Sequence, residues 1–435
     1  MTKRNLLAGL LLIVFVLTAG CAARPAQPTD TPAAETTPAA APSPTPTPEP
    51  TPTPTPDPIA EAVAAMTTEQ KVSQLLVAGI EGTQLGQDAV QAVQDYQVGG
   101  VILFGRNVES AWQLAELTNG LKDLNGDYTP LFLCVDQEGG RVDRMPPEVE
   151  RTPSAWSVGQ TLDAEGVGAA YGALLAEECA AFGFNMDFAP SLDIWSNPDN
   201  TVIGDRAFGN DWEWTAFFGM SAVESMEEQG GVIPVVKHFP GHGDTSVDSH
   251  VALPVVDKSL EELWQSELVP FNMALNQEDY FGAQAGPSAP AVMVAHILLS
   301  QVDPDYPASL SHRVVTGLLR EEMGFDGVVC TDDLTMGAVS NTYGMGEAAV
   351  LAVEAGCDLL LVCHGADNLT AARDALLEAV DSGRLSPERL DESVKRILSL
   401  KVEYGLTNDP VDTPDVDALN ASIGALTEQI TEASS

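Results

Sequence analysis

The chain has 435 residues, 44% of them hydrophobic, so it can bury a sizeable core and is long enough for one large or two ordinary domains. Its formal charge of −43 argues against nucleic acid or an anionic membrane surface as a partner, because phosphate binding needs clustered Lys and Arg that are missing here. A neutral ligand is easier to accommodate.

The N-terminus reads as a targeting segment. Lys3 and Arg4 precede an apolar run from Leu6 to Leu17, too short for a comfortable membrane span, and Thr18-Ala19-Gly20-Cys21 follows as a small-residue cleavage site. This layout resembles a bacterial lipoprotein signal over residues 1–20, which implies lipidation of Cys21 and export to the outer face of the cell membrane. Residues 21–58 are rich in Thr, Pro and Ala; they cannot bury a core, and their prolines predict an extended tether of roughly 3 Å per residue. The other cysteines, Cys134, Cys179, Cys330, Cys357 and Cys363, are odd in number and fit no zinc spacing, so buried free thiols are expected, with a disulfide as the alternative.

Met66-Thr67-Thr68-Glu69-Gln70 predicts a helix start, with Thr67 as N-cap and Gln70 at the capping-box position. Eight short apolar runs then alternate with amphipathic stretches: 75–80, 99–104, 131–136, 184–190, 232–238, 291–296, 327–333 and 358–363. Helices are expected near 84–96, 108–124, 161–182, 211–229, 258–276, 311–322, 346–355, 367–381 and 386–403. Eight strand–helix repeats predict a single (β/α)8 TIM-like barrel over 59–406, better than an open doubly wound sheet. The segment 276–290 reads as an insertion, and 407–435 as a polar tail that wraps or frays.

In such a barrel the site lies at the C-terminal strand ends. Asp136, Asp187, Lys237-His238, His296, Asp332-Asp333 and His364 each close an apolar run, as that rule requires. After Lys237 and His238 comes a Gly/Pro-rich loop with His242, Asp244, Asp248 and His250, placing six ionisable side chains within fourteen residues. Three chemistries fit this loop. It has imidazoles and carboxylates for a metal, although no helical His-x-x-x-His pair. It suits glycoside hydrolysis, with Asp332 as nucleophile and Asp248 orienting His250 as general acid and base. It also suits sugar binding without turnover.

DQEGGRVDR (136–144), IGDRAFG (203–209), KHFPGHGDTSVDSHVALP (237–254) and TDDLTMGA (331–338), in that chain order, resemble the β-N-acetylglucosaminidases of glycoside hydrolase family 3. MTTEQKVSQLL is similar to that family's opening helix, and the resemblance covers essentially residues 64–406. It implies that Asp332 is the nucleophile, Asp333 a supporting carboxylate, and Asp248 with His250 the acid/base dyad that marks the N-acetylglucosaminidase branch. Asp136, Arg144, Arg206, Lys237 and His238 match sugar-gripping positions, and His242 and Asp244 would order the loop. His296 is either a pocket residue or a strand-end histidine satisfied by its own hydrogen bonds.

The expected activity is a cofactor-independent, metal-free, retaining β-N-acetylhexosaminidase acting on terminal N-acetylglucosamine of peptidoglycan-type or chitin-type oligosaccharides. A β-glucosidase, a phosphorylase of the same family and a non-catalytic sugar-binding lipoprotein are the alternatives.

Overall fold

The computed structural model describes residues 57–245, 253–276 and 288–434. Cys21, Asp248, His250 and residues 277–287 of the expected insertion lie outside the described residues.

Each of the eight apolar runs forms a strand: β1 Leu76–Gly79, β2 Gly100–Ile102, β3 Phe132–Val135, β4 Met186–Asp187, β5 Ile233–Phe239, β6 Ala291–Val294, β7 Val328–Thr331 and β8 Leu360–Val362. Consecutive strands pair in parallel, and β1 also pairs with β8, Leu76 opposite Leu360. Between β7 and β8 the ladder narrows to one parallel bridge, Cys330 opposite Leu359, with Thr331 N–H donating to the Leu359 carbonyl at 2.9 Å. The result is a nearly closed (β/α)8 barrel. Strands of such a barrel are covered on both faces, which is why their residues are apolar without alternation.

The helix signals hold locally. Thr67 and Gln70 form the capping box of the Thr68–Gln74 helix. Ser386 caps the Pro387–Glu403 helix, whose proline occupies a first-turn position where no intrahelical N–H is needed. The expected helix over 258–276 is two, Leu260–Leu263 and Leu268–Asn276. Glu267, buried between them, binds Lys258, and Pro270 has no N–H to carry the first helix onward. All five cysteines within the described residues are buried and free, as the spacing suggested.

The polar tail does wrap. Asp415 caps an 18-residue helix, Val416–Ala433, which packs against the Ala169–Ala181 helix and buries Leu419, Ile423 and Leu426. These positions repeat at helical spacing within a segment whose average polarity hides them.

Candidate active site

The site begins at β3. Gly139 and Gly140 follow Glu138 with φ of 69° and 55°, a left-handed turn that glycine adopts without penalty. A Cβ on Gly139 would lie 2.5 Å from the Pro153 carbonyl oxygen, so the turn also needs glycine for space. It leaves Asp136 and Glu138 together beside the end of β5. There the buried Lys237 ammonium lies 2.6 Å from Asp136 Oδ1 and 2.5 Å from Glu138 Oε1. Arg206 closes on Glu138 from the other side, Nε to Oε2 at 2.8 Å and Nη2 to Oε1 at 2.7 Å.

Two carboxylates thus face two cations, and their formal charges cancel. Burial alone would raise the Glu138 pKa, but Arg206 and Lys237 hold the carboxyl well below the usual range. Lys237 likewise stays above its ordinary value: burial opposes this, and Asp136 and Glu138 outweigh it.

His238 is joined to the cluster with a defined tautomer. Its Nε2 is 3.2 Å from Arg206 Nη2, and its Nδ1 is 2.6 Å from Asp193 Oδ2. Arginine only donates, so Nε2 accepts and Nδ1–H donates to Asp193. This Asp–His pair therefore turns a lone pair toward Arg206 and has no proton at Nε2 to give a leaving group, unlike a general acid. Asp193 also accepts from the Ser191 hydroxyl at 2.9 Å and the His242 N–H at 2.6 Å; against its burial, His238 first and His242 second hold its carboxyl well below the usual range.

Asp332 sits at the end of β7. Its N–H donates to the Val294 carbonyl at 3.0 Å, and its Oδ1 accepts from the Asp333 N–H at 2.7 Å. Burial would raise its pKa, but His296, His238, that N–H and Lys237 together hold it below the ordinary carboxylate value. An ionised, half-buried carboxylate with its remaining lone pairs at a cavity wall suits a nucleophile.

The loop after His238 is anchored at its root. Asn200 donates to the His242 carbonyl at 2.8 Å, the Gly243 carbonyl at 3.2 Å and Thr245 Oγ1 at 3.3 Å. Its own amide oxygen accepts from the N–H groups of Val202 and Ile203, tying this loop to the segment that carries Arg206. Asp244 adds an ion pair to Lys258 at 3.2 Å.

Asp136, Arg144, Arg206, Lys237, His238 and Asp332 all line one cavity of about 360 Å³ at the C-terminal strand ends. The structure thus brings Asp332 and the residues expected to grip the sugar to one cavity, whereas Asp187 and Asp244 do not line it. Asp248 and His250 belong to residues 246–252, outside the described residues. His296 does not line the cavity; it is buried and hydrogen-bonded to Ser309 and to the Asp333 carbonyl. A larger cavity, about 620 Å³, lies at the other end of the barrel against Phe325, Arg396 and Tyr404 and holds none of these residues. Among the described residues no group of three His, Cys, Asp or Glu side chains is arranged to hold a metal ion.

Sequence reasoning missed Glu138, Asp193 and Asn200. Glu138 lay inside the DQEGGRVDR stretch, and a carboxylate directly before Gly-Gly at a strand end was a usable signal. Asp193 and Asn200 lie in a long loop after β4, where no periodicity separates an inward side chain from a solvated one.

The glycosyl hydrolase family 3 N-terminal domain matches residues 67–400 of the chain. A β-hexosaminidase of Pseudomonas aeruginosa is 37% identical over 315 residues, 72% of this chain and 88% of that protein. β-Hexosaminidase A of Pseudoalteromonas piscicida is 31% identical over 378 residues, 80% of this chain, which spans only 62% of that relative. Among solved structures, a family 3 β-N-acetylglucosaminidase from Paenibacillus sp. str. FPU-7 superposes with a TM-score of 0.77 at 43% identity, over 85% of this chain and 69% of that one. A β-N-acetylhexosaminidase from Beutenbergia cavernae gives a TM-score of 0.68 at 31% identity, over 78% and 99%. With the matched domain over most of the chain and the strand-end cluster in one cavity, this chain belongs to glycosyl hydrolase family 3, within its β-hexosaminidase group.

Proposed function

We propose that the protein is a retaining enzyme that removes terminal, non-reducing, β-linked N-acetylglucosamine from peptidoglycan-type or chitin-type oligosaccharides through a covalent glycosyl-enzyme. The observation that carries this reading is the ionised Asp332 carboxylate facing the same cavity as the Asp136–Lys237–Glu138–Arg206 cluster. The names of the Paenibacillus and Pseudomonas relatives support the choice of sugar.

Asp136 accepts from sugar hydroxyls, while Lys237, Arg206, Arg144 and His238 orient the ring so that its anomeric carbon meets Asp332. Asp332 attacks, and His250, made more basic by Asp248, protonates the departing oxygen. Water then opens the glycosyl-enzyme with His250 as base, so configuration is retained. An imidazole with an ordinary pKa near ~6.5 can serve both steps near neutral pH.

The N-terminal signal supports export, with Cys21 lipidated and the Pro/Thr tether lifting the barrel from the membrane. Glycans of the cell envelope are then the substrates within reach.

The test is hydrolysis of 4-nitrophenyl β-N-acetylglucosaminide, with the matching glucoside in parallel, following the first product by proton NMR. Release of the β-anomer first, with the glucoside far slower, is the expected result. The α-anomer first, or preference for the glucoside, overturns the reading.

A further inference from the structure

The turn that carries Asp332 is braced by both neighbouring strand ends. His296, just after β6, is fully buried; its Nε2 lies 2.9 Å from the Asp333 carbonyl oxygen and its Nδ1 2.6 Å from Ser309 Oγ. A carbonyl only accepts, so Nε2 carries a hydrogen whatever the charge on the ring. Ser309 is itself tied to the end of β6, its N–H donating to the Ala295 carbonyl at 3.2 Å.

From the β8 side, Cys363 N–H donates to Asp333 Oδ1 at 3.1 Å. The same carboxylate accepts from Thr335, its N–H at 2.9 Å and its hydroxyl at 2.5 Å. Residue 333 is thus held at its carbonyl and at its side chain. Its N–H then has a set direction, along the 2.7 Å bond to Asp332 Oδ1.

We propose that His296 is a positioning residue for Asp332: by holding the Asp333 carbonyl it fixes the Asp333 N–H, and through that bond the direction from which the carboxylate attacks. The proposal rests on the reading of Asp332 as nucleophile. His296 lines no part of the cavity, so it acts through Asp333 and leaves ground-state sugar binding alone. A carboxylate displaced by about 1 Å from its attack position costs on the order of 100-fold in rate, so a hydrogen bond two residues away is enough to matter.

Two amide replacements separate positioning from simple loss of packing. In His296→Gln the side-chain amide reaches the place of Nε2 and still donates to the Asp333 carbonyl, whereas in His296→Asn it reaches only the place of Nδ1. In the full-length protein, kcat/KM on 4-nitrophenyl β-N-acetylglucosaminide is expected to fall about 100-fold in His296→Asn and less than about tenfold in His296→Gln. The inhibition constant of free N-acetylglucosamine is expected to stay within about threefold in both, which a general distortion of the pocket would not allow.

Equal kcat/KM in the two variants, or inhibition weakened in step with rate, overturns the proposal. Ser309→Ala removes only the partner of Nδ1 and provides a further measurement should His296→Asn not fold. It is expected to lose about threefold to tenfold in kcat/KM with inhibition unchanged, and an unchanged kcat/KM overturns the proposal. Asp332→Ala in the same series tells the two failures apart. Activity retained there removes the nucleophile itself, while an inactive Asp332→Ala beside a fully active His296→Asn removes only the role of His296.

Discussion

Arg206 and Glu138 meet through two parallel hydrogen bonds of 2.7 and 2.8 Å, and the same Glu138 carboxylate takes a third from Lys237. With three donors on its two oxygens, Glu138 serves the cations and leaves the sugar to Asp136. It keeps two like charges side by side at the cavity wall, which their mutual repulsion would otherwise oppose. In Glu138→Gln the carboxylate that offsets this repulsion is gone, and Arg206 loses its planar two-oxygen partner. The expected outcome is a kcat/KM lowered by about 100-fold, most of it in KM, read from Michaelis curves beside Asp136→Asn.

The two imidazoles of the reading separate by leaving group. His250, as general acid, matters most for a departing sugar alkoxide and least for a dinitrophenolate acidic enough to leave unprotonated. His250→Ala is therefore expected to lose about 100-fold or more on a chito-oligosaccharide and far less on the dinitrophenyl glycoside. His238, whose Nε2 accepts from Arg206, has no proton to give there, so His238→Ala should lose similar factors on both substrates. A leaving-group dependence in His238→Ala instead would transfer the acid role to the Asp193–His238 pair.

The barrel was legible because its signal is repetitive. Eight apolar runs separated by amphipathic stretches leave few topologies, and the chemistry-bearing residue closing six of them, such as Lys237 or Asp332, marks which end is open. Asp136, Lys237 and His238 were legible because they sit on or beside strand ends, whereas Arg144 and Arg206, in loops well past β3 and β4, were legible only through the stretches that carry the family resemblance. Glu138, Asp193 and Asn200 were not, because their roles exist only through partners 68, 45 and 42 residues away in the chain. No local pattern encodes such a pairing.

The C-terminal helix tests the same lesson in stability. Ile423 is buried at the centre of a stripe with Leu419 and Leu426 against the Ala169–Ala181 helix. Ile423→Ala is expected to cost about 2–4 kcal/mol, by lost transfer energy and the cavity left behind. Urea unfolding gives the magnitude, with kcat/KM of the folded enzyme unchanged, since none of these residues lines the active-site cavity. A midpoint equal to the wild type would mean that the helix is not docked.

Beneath the cluster, the side chain of Gln137 turns away from Asp136 and Glu138 to bind Glu178. Its Nε2 donates to Glu178 Oε2 at 2.9 Å, and Glu178 Oε1 lies 2.6 Å from Thr152 Oγ1. Burial raises the Glu178 pKa to about 8, so at neutral pH the folded protein holds a proton there that the unfolded chain, at the ordinary value of 4.5, has released. The folded state binds the extra proton, so this contribution is fully present at low pH. It is lost as pH climbs from the unfolded value through the folded one, at up to about 1.4 kcal/mol for each unit crossed. Glu178→Gln imitates the protonated acid, its amide donating to Thr152 Oγ1 while its oxygen accepts from Gln137, and it cannot titrate. Urea midpoints of the two proteins should lie closest near pH 5 and diverge toward pH 8, with the Gln variant the more stable on the alkaline side. A difference that stays flat across this range would mean that Glu178 is ionised in the fold, with its charge held by Gln137 and Thr152.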